Sequence, residues 1–160
     1  MTQKDIAEQI SRPLRDRGWE LAVAESCTGG LVGHMITNIP GASTYFIGGI
    51  IAYSYHAKVR LLNVSWETLE EHGAVSEATV KEMAKGIRHR LGADLGLSIS
   101  GIAGPTGGTP QKPVGTVWFG LDTNDGTYAK VIQTDGDRLS NKKAFALESL
   151  TFLWEQLRKG

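Results

Sequence analysis

The chain has 160 residues, within the ~100 to 200 expected of one domain and enough to bury a core without disulfides or a structural metal. Its 17 Lys and Arg balance 17 Asp and Glu, so no net field draws it toward nucleic acid or a membrane surface. A single cysteine, Cys27, excludes an internal disulfide, and neither a leader nor an apolar run near ~18 residues is present, so a cytoplasmic protein is expected.

The elements follow in chain order. Thr2-x-x-Asp5 opens an amphipathic helix with Ile6, Ile10 and Leu14 on one face, and Pro13 is expected to bend or shorten it. Trp19 to Ala24 reads as a strand running into Glu25-Ser26-Cys27-Thr28-Gly29-Gly30, and Leu31 to Ile39 as a helix stopped at Pro40. Phe46 to Ser54 reads as a second strand and Ala57 to Leu62 as a short helix. Ser65 and Ser76 are N-caps in the making, the second opening a helix whose stripe is Val80, Met83, Ile87 and Leu91. Leu95 to Ile99, Thr116 to Leu121 and Tyr128 to Gln133 are strands, the last two joined by an Asn124-Asp125-Gly126 turn and therefore antiparallel. From Asp137 a final helix carries Ala144, Leu147, Leu150, Trp154 and Leu157 on one face. Helices alternating with about five strands predict one domain over 1–160, a three-layer α/β/α sandwich with a mixed, mostly parallel sheet.

Glycine is the one skewed count, 20 residues against an average near ~7%, and the excess sits in clusters that suit loops around a ligand. At the first cluster, a strand, then Ser26, Thr28, Gly29 and Gly30, then a helix outlines an anion site of backbone N–H groups and hydroxyls; the plain alternative is a capped turn. Glu25 beside it reads as a base or a surface acid. A serine needs a base to become a nucleophile, and no serine-histidine-aspartate order is evident. A serine-lysine pair is the next chemical choice, with Ser43 of Gly41-Ala42-Ser43-Thr44, Lys58, and Tyr53 to relay a proton or hold the amine. Spacing alone favours the plain alternative, a turn serine and a solvated helix lysine. The run from Ser98 through Ser100, Gly101 and Gly104 to Gly108 is a long loop after a strand, a source of oxyanion donors or a mobile surface segment. Arg138 offers a fork for a phosphate or carboxylate. The histidines at 34, 56, 72 and 89 have no paired ligand spacing, so neither metal nor cofactor is expected.

In this order, Ala24-Glu25-Ser26-Cys27-Thr28-Gly29-Gly30, Pro40-Gly41-Ala42-Ser43, Tyr53-Ser54-x-x-Ala57-Lys58, Gly73-Ala74-Val75-Ser76, Ser100-Gly101-Ile102-Ala103-Gly104-Pro105, Lys112-Pro113-Val114-Gly115 and Gly136-Asp137-Arg138 resemble the CinA family carboxy-terminal domain across nearly the whole chain. The resemblance implies a nicotinamide-mononucleotide amidase of pyridine nucleotide recycling, with Ser43 as nucleophile, Lys58 as base and Tyr53 assisting. It further implies Ser26, Thr28, Gly29, Gly30, Ser100, Gly101, Gly104 and Arg138 near a small-molecule nucleotide, without nucleic acid or membrane partners. The larger relatives carry a preceding pyrophosphatase domain, so amidase activity without that second activity is expected. A homo-oligomer, most simply a dimer, is expected too. A catalytically silent nucleotide-binding module and a Ser-Lys amidase for another small amide are the rival readings. The strand between Ser43 and Lys58 spans about 16 Å, so the expected pair requires either that its flanks double back, the favoured reading, or that the pair is completed across a dimer.

Overall fold

A computed structural model describes residues 1–160. Helix α1 (Gln3–Arg17) starts on a capping box in which Thr2 and Asp5 exchange side-chain and backbone hydrogen bonds, and stops at Gly18 in the left-handed conformation. Pro13 lies inside the helix and does not shorten it. The carbonyl that loses its partner belongs to Gln9, whose exposed position lets water replace the bond. Strand β1 (Leu21–Glu25) is buried throughout and turns into α2 (Leu31–Thr37). A one-turn 3-10 helix, Ala42–Thr44, leads into β2 (Phe46–Ile51), which ends three residues earlier than the sequence suggests because Ser54 leaves to cap α3 (Tyr55–Leu62). Ser65 and Ser76 cap α4 (Trp66–His72) and α5 (Glu77–Leu91) by accepting from the N–H groups of Thr68 and Thr79. Strands β3 (Leu95–Gly101), β4 (Thr116–Asp122) and β5 (Thr127–Gln133) precede the long helix α6 (Arg138–Lys159), whose cap is Asp137.

The sheet order is β2-β1-β3-β4-β5. β1 pairs in parallel with both β2 and β3, while β4 runs antiparallel to β3 and β5, so β4 alone opposes the other four. Alternation along the strands splits the core between two faces. Leu21, Val23, Leu95, Leu97, Ile99 and Phe119 pack with α1, α2 and α6, while Ala22 and Ala24 pack with Leu62, Leu69, Met83 and Ile87 of α3, α4 and α5. This is the three-layer α/β/α sandwich.

Two helix faces differ in detail from the periodicity. Leu91 is exposed at the end of α5, whereas Val80, Met83 and Ile87 are buried. In α6 the buried set is Asn141, Phe145, Ala146, Ser149, Leu150, Phe152, Leu153 and Leu157, with Ala144, Leu147 and Trp154 at its margin. α6 packs on both α1 and the sheet, so it needs a wider apolar face than a single stripe.

From β1 the chain passes through α2 to β2 on one side, and from β2 through α3, α4 and α5 back across to β3 on the other. The two crossovers lie on opposite faces of the sheet, and the order reverses at β1. In open α/β sheets such a reversal leaves a crevice at the carboxyl ends of the strands, where ligands bind. Ser26 follows the end of β1 and the 102–115 loop follows the end of β3, so both sit at that crevice.

Candidate functional site

β1 and β2 end in register, Glu25 opposite Ile51, and Ala52 N donates to Glu25 O at 2.8 Å. Ser26 and Ala52 therefore leave the sheet side by side. On the other flank Glu25 pairs with Ile99, and Ser26 N donates to Ile99 O at 3.1 Å, which sets Ser26 beside Ser100. Lys58 enters from the first turn of α3. It is 1% exposed, and Nζ donates to Ser26 Oγ at 2.8 Å, Ala52 O at 2.9 Å and Tyr53 O at 3.1 Å. Those three acceptors match the three donors of an ammonium. Burial pulls its pKa down to about 8, and its place at the positive end of a helix dipole acts in the same direction.

Ser43 lies elsewhere. It is exposed in the 3-10 turn before β2, at the edge of the sheet where Leu21 N donates to Tyr45 O. The six residues of β2 at a rise of ~3.3 Å put roughly 20 Å between that edge and the Lys58 edge. The strand stays extended and its flanks do not double back, so within one chain Ser43 and Lys58 do not meet. The serine that lysine touches is Ser26. Tyr53 also differs from expectation: its carbonyl, not its phenol, holds the lysine, while its exposed hydroxyl accepts from Arg138 Nη2 at 3.2 Å. Tyr55 and His56 sit exposed on α3.

Glu25 is the residue whose role the sequence hid. Its buried carboxylate accepts from the Thr28 hydroxyl at 2.6 Å and from the N–H groups of Gly30, Val32 and Gly33 at 3.0–3.1 Å. The chain's own carboxylate thus fills the anion site expected at the start of α2, and Glu25 is neither a free base nor a surface acid. A strand-end glutamate beside a glycine turn was the available signal. Gly29 and Gly30 adopt φ of 61° and 106°, values that let the turn close tightly around that carboxylate. The N–H groups of Cys27 and Thr28, directly after Ser26, donate to no backbone carbonyl. Cys27 itself is buried, and burial pushes its thiol up to about 11, which makes it a poor nucleophile.

The loop after β3 forms the facing wall. Ser100 is buried at the end of β3 and its hydroxyl bonds to no other side chain or carbonyl. Gly104 adopts φ of 85°, and a Cβ there would lie 2.4 Å from Val114 Cγ1, so the loop folds back on itself only with glycine at this point. Arg138 Nη1 donates to Gly104 O at 2.7 Å and thereby ties the loop to Tyr53. Asn141, buried one turn further along α6, donates to Ala103 O and accepts from Gly136 N and Thr134 Oγ1. Its polar side chain on the apolar face of a helix was the sequence signal for this anchor. No three His, Cys, Asp or Glu side chains are grouped closely enough to hold a metal ion.

Ser26, Lys58, Tyr53, Ser100, Gly101, Gly104 and Arg138 are therefore gathered at one crevice, and Thr28, Gly29 and Gly30 form its shoulder. This is where known proteins are informative. Residues 3–157 match the profile of the CinA C-terminal domain. A protein of Enterobacter agglomerans named nicotinamide-nucleotide amidohydrolase PncC is 48% identical over 147 residues, covering 91% of this chain and 90% of that protein. A CinA-like protein of Kosmotoga olearia is 50% identical over 151 residues, 94% of this chain but 37% of the relative. The chain thus spans little more than a third of several of the curated relatives it matches. Among solved structures, the competence damage-inducible protein A of Klebsiella pneumoniae superposes with a TM-score of 0.95 at 36% identity, covering 99% of this chain and 98% of that one. The corresponding protein of Agrobacterium tumefaciens gives 0.92 at 34% identity, over 98% and 95%. The chain belongs to the CinA C-terminal domain family.

Proposed function

We propose that this domain is an amidohydrolase that converts nicotinamide mononucleotide to nicotinate mononucleotide and ammonia, with Ser26 rather than Ser43 as the nucleophile and Lys58 as its base. The observation that carries the reading is the 2.8 Å contact between the buried Lys58 Nζ and Ser26 Oγ. The substrate comes from the amidohydrolase relative, which is similar over nearly its whole length.

In the proposed sequence, neutral Lys58 takes the Ser26 proton as Oγ attacks the carboxamide carbon. The tetrahedral oxyanion is met by the N–H groups of Cys27 and Thr28, the position a donor occupies after the nucleophile of a strand-to-helix turn. The C–N bond breaks as the Lys58 ammonium returns its proton to nitrogen, and ammonia departs. Water, deprotonated by Lys58, then cleaves the acyl ester, and Ser26 regains its proton as the acid leaves. Arg138 and Tyr53, hydrogen-bonded to each other and to the facing loop, hold the wall against which the substrate sits.

The test is direct: purified protein with nicotinamide mononucleotide should release ammonia and nicotinate mononucleotide in equal amounts, with chelator present throughout. Ammonia from a different small amide, with none from this nucleotide, would move the substrate assignment. Binding without release from any amide would favour a silent nucleotide-binding module. No helix is long and apolar enough to cross a membrane.

A further inference from the structure

The turn between β1 and α2 has two sides. On the inner side Glu25 consumes the Gly30, Val32 and Gly33 N–H groups and the Thr28 hydroxyl, so no donor of the helix start remains for an anionic ligand. On the outer side a depression of about 450 Å³ opens between Thr28 to Leu31 of the turn, His34 of α2, and Lys142 and Lys143 of α6. Every ionisable side chain on its walls is a base. Neither lysine belongs to an ion pair. Of the carboxylates around it, Glu25 is saturated, and Asp137 caps α6 by accepting from Ser140 N while also facing the Lys143 ammonium. In a chain with no net charge, two ammonium groups beside one imidazole, with Asp137 as the one carboxylate facing them, make a local positive well.

The half-buried Lys142 reaches over the turn at Gly29, its Nζ 3.7 Å from where a Cβ would stand. Gly29 has φ of 61°, so a side chain there would be strained. Gly29 N donates to Ser26 O at 3.1 Å, a turn that keeps the two Cα atoms within ~7 Å, and the Lys142 ammonium lies beyond Gly29. The reach from Ser26 to that ammonium is comparable with the distance from the amide of a pyridine mononucleotide to its phosphate. Arg138, the other cation at this edge, already donates to Gly104 O and Tyr53 Oη.

We propose that this depression is the phosphate subsite of the enzyme. Lys142 and Lys143 hold the phosphate monoester of the substrate by charge-assisted hydrogen bonds, with His34 flanking it. The phosphate is then the handle by which a mononucleotide is selected over its dephosphorylated nucleoside. The assignment rests on the amidase reading above and deepens it.

Two measurements on wild type and the double variant Lys142→Gln, Lys143→Gln test it. The first compares kcat/KM for nicotinamide mononucleotide with that for nicotinamide riboside. The preference for the phosphorylated substrate should fall at least tenfold in the variant, and an unchanged ratio would overturn the subsite. The second needs no turnover: inorganic phosphate is titrated while the His34 imidazole resonances are followed by NMR. A saturable shift in the wild type that is lost in the variant is expected. No shift in the wild type, or the same shift in both proteins, would overturn the subsite. Should the wild type release no ammonia, the amidase reading fails, and the phosphate titration still decides whether the subsite exists.

Discussion

At the scale of single residues the account turns on one lysine. Lys58 is an ammonium with three acceptors, yet burial has drawn its pKa to about 8, so a fraction near one tenth is neutral at pH 7. A base that must be neutral to act makes kcat/KM rise with pH and level off above about 8. Lys58→Arg, which cannot lose its proton, should lower kcat by ~10² or more at every pH; a variant that kept the wild-type profile would place the base elsewhere. The same shift has a thermodynamic face. The folded pKa lies below the unfolded value of 10.5, so between about 8 and 10.5 the unfolded chain binds more protons and rising pH stabilises the fold. Below pH 8 the penalty of burying the charge is present in full. The shift corresponds to about 3 kcal/mol. Cys27 opposes it above pH 9, because its raised pKa means that the folded state holds its proton longer. The measurement is therefore the difference in denaturant-unfolding free energy between wild type and Lys58→Met, which should grow in favour of wild type from pH 8 to 10. A difference independent of pH would mean that the lysine titrates normally.

At the scale of elements, Glu25 and the loop after β3 do the positioning. Removing the Glu25 carboxylate orphans three N–H groups at the start of α2, each costing roughly 1–3 kcal/mol where buried. Glu25→Ala is expected to destabilise the domain by about 3 kcal/mol and lower Tm by ~6–12 °C, measurable by calorimetry; a fall under 1 kcal/mol would show that water replaces the carboxylate. Gly104→Ala puts a methyl on Val114 at a positive φ. A loss of about 1–3 kcal/mol is expected, together with a drop in kcat as the wall at Arg138 shifts. Unchanged stability by urea unfolding would mean that the loop relaxes freely. Most of the elements were legible because capping and periodicity act locally: Thr2, Ser65 and Ser76 cap where their positions suggest. The width of the α6 face was not, since it depends on α1 and the sheet packing on the same helix.

At the scale of the whole molecule, sheet order decides which serine meets the lysine. The resemblance, rather than the spacing, points to Lys58 and a serine partner, and the glycine turn at 28–30 stands out as part of the site. What the sequence did not reveal is that β1 and β2 are parallel neighbours. That pairing carries the ends of both strands, Ser26 and Ala52, to one edge and leaves Ser43 at the other. A strand-turn-helix-strand reading contains the signal, because a crossover between adjacent parallel strands brings the residues after both strands together. The reversal of strand order at β1 then opens the crevice between Ser26 and the 102–115 loop, and Arg138 and Asn141 of α6 fasten its far wall.

The central claim, that Ser26 and not Ser43 is the nucleophile served by Lys58, is tested most directly by ammonia release from nicotinamide mononucleotide by the Ser26→Ala and Ser43→Ala variants beside the wild type. Ser26→Ala is predicted to lose at least ~10³-fold in kcat while keeping its fold by circular dichroism, and Ser43→Ala to stay within about twofold of the wild type, as expected of an exposed substitution away from the site. Loss of turnover in Ser43→Ala with activity retained in Ser26→Ala would contradict the account.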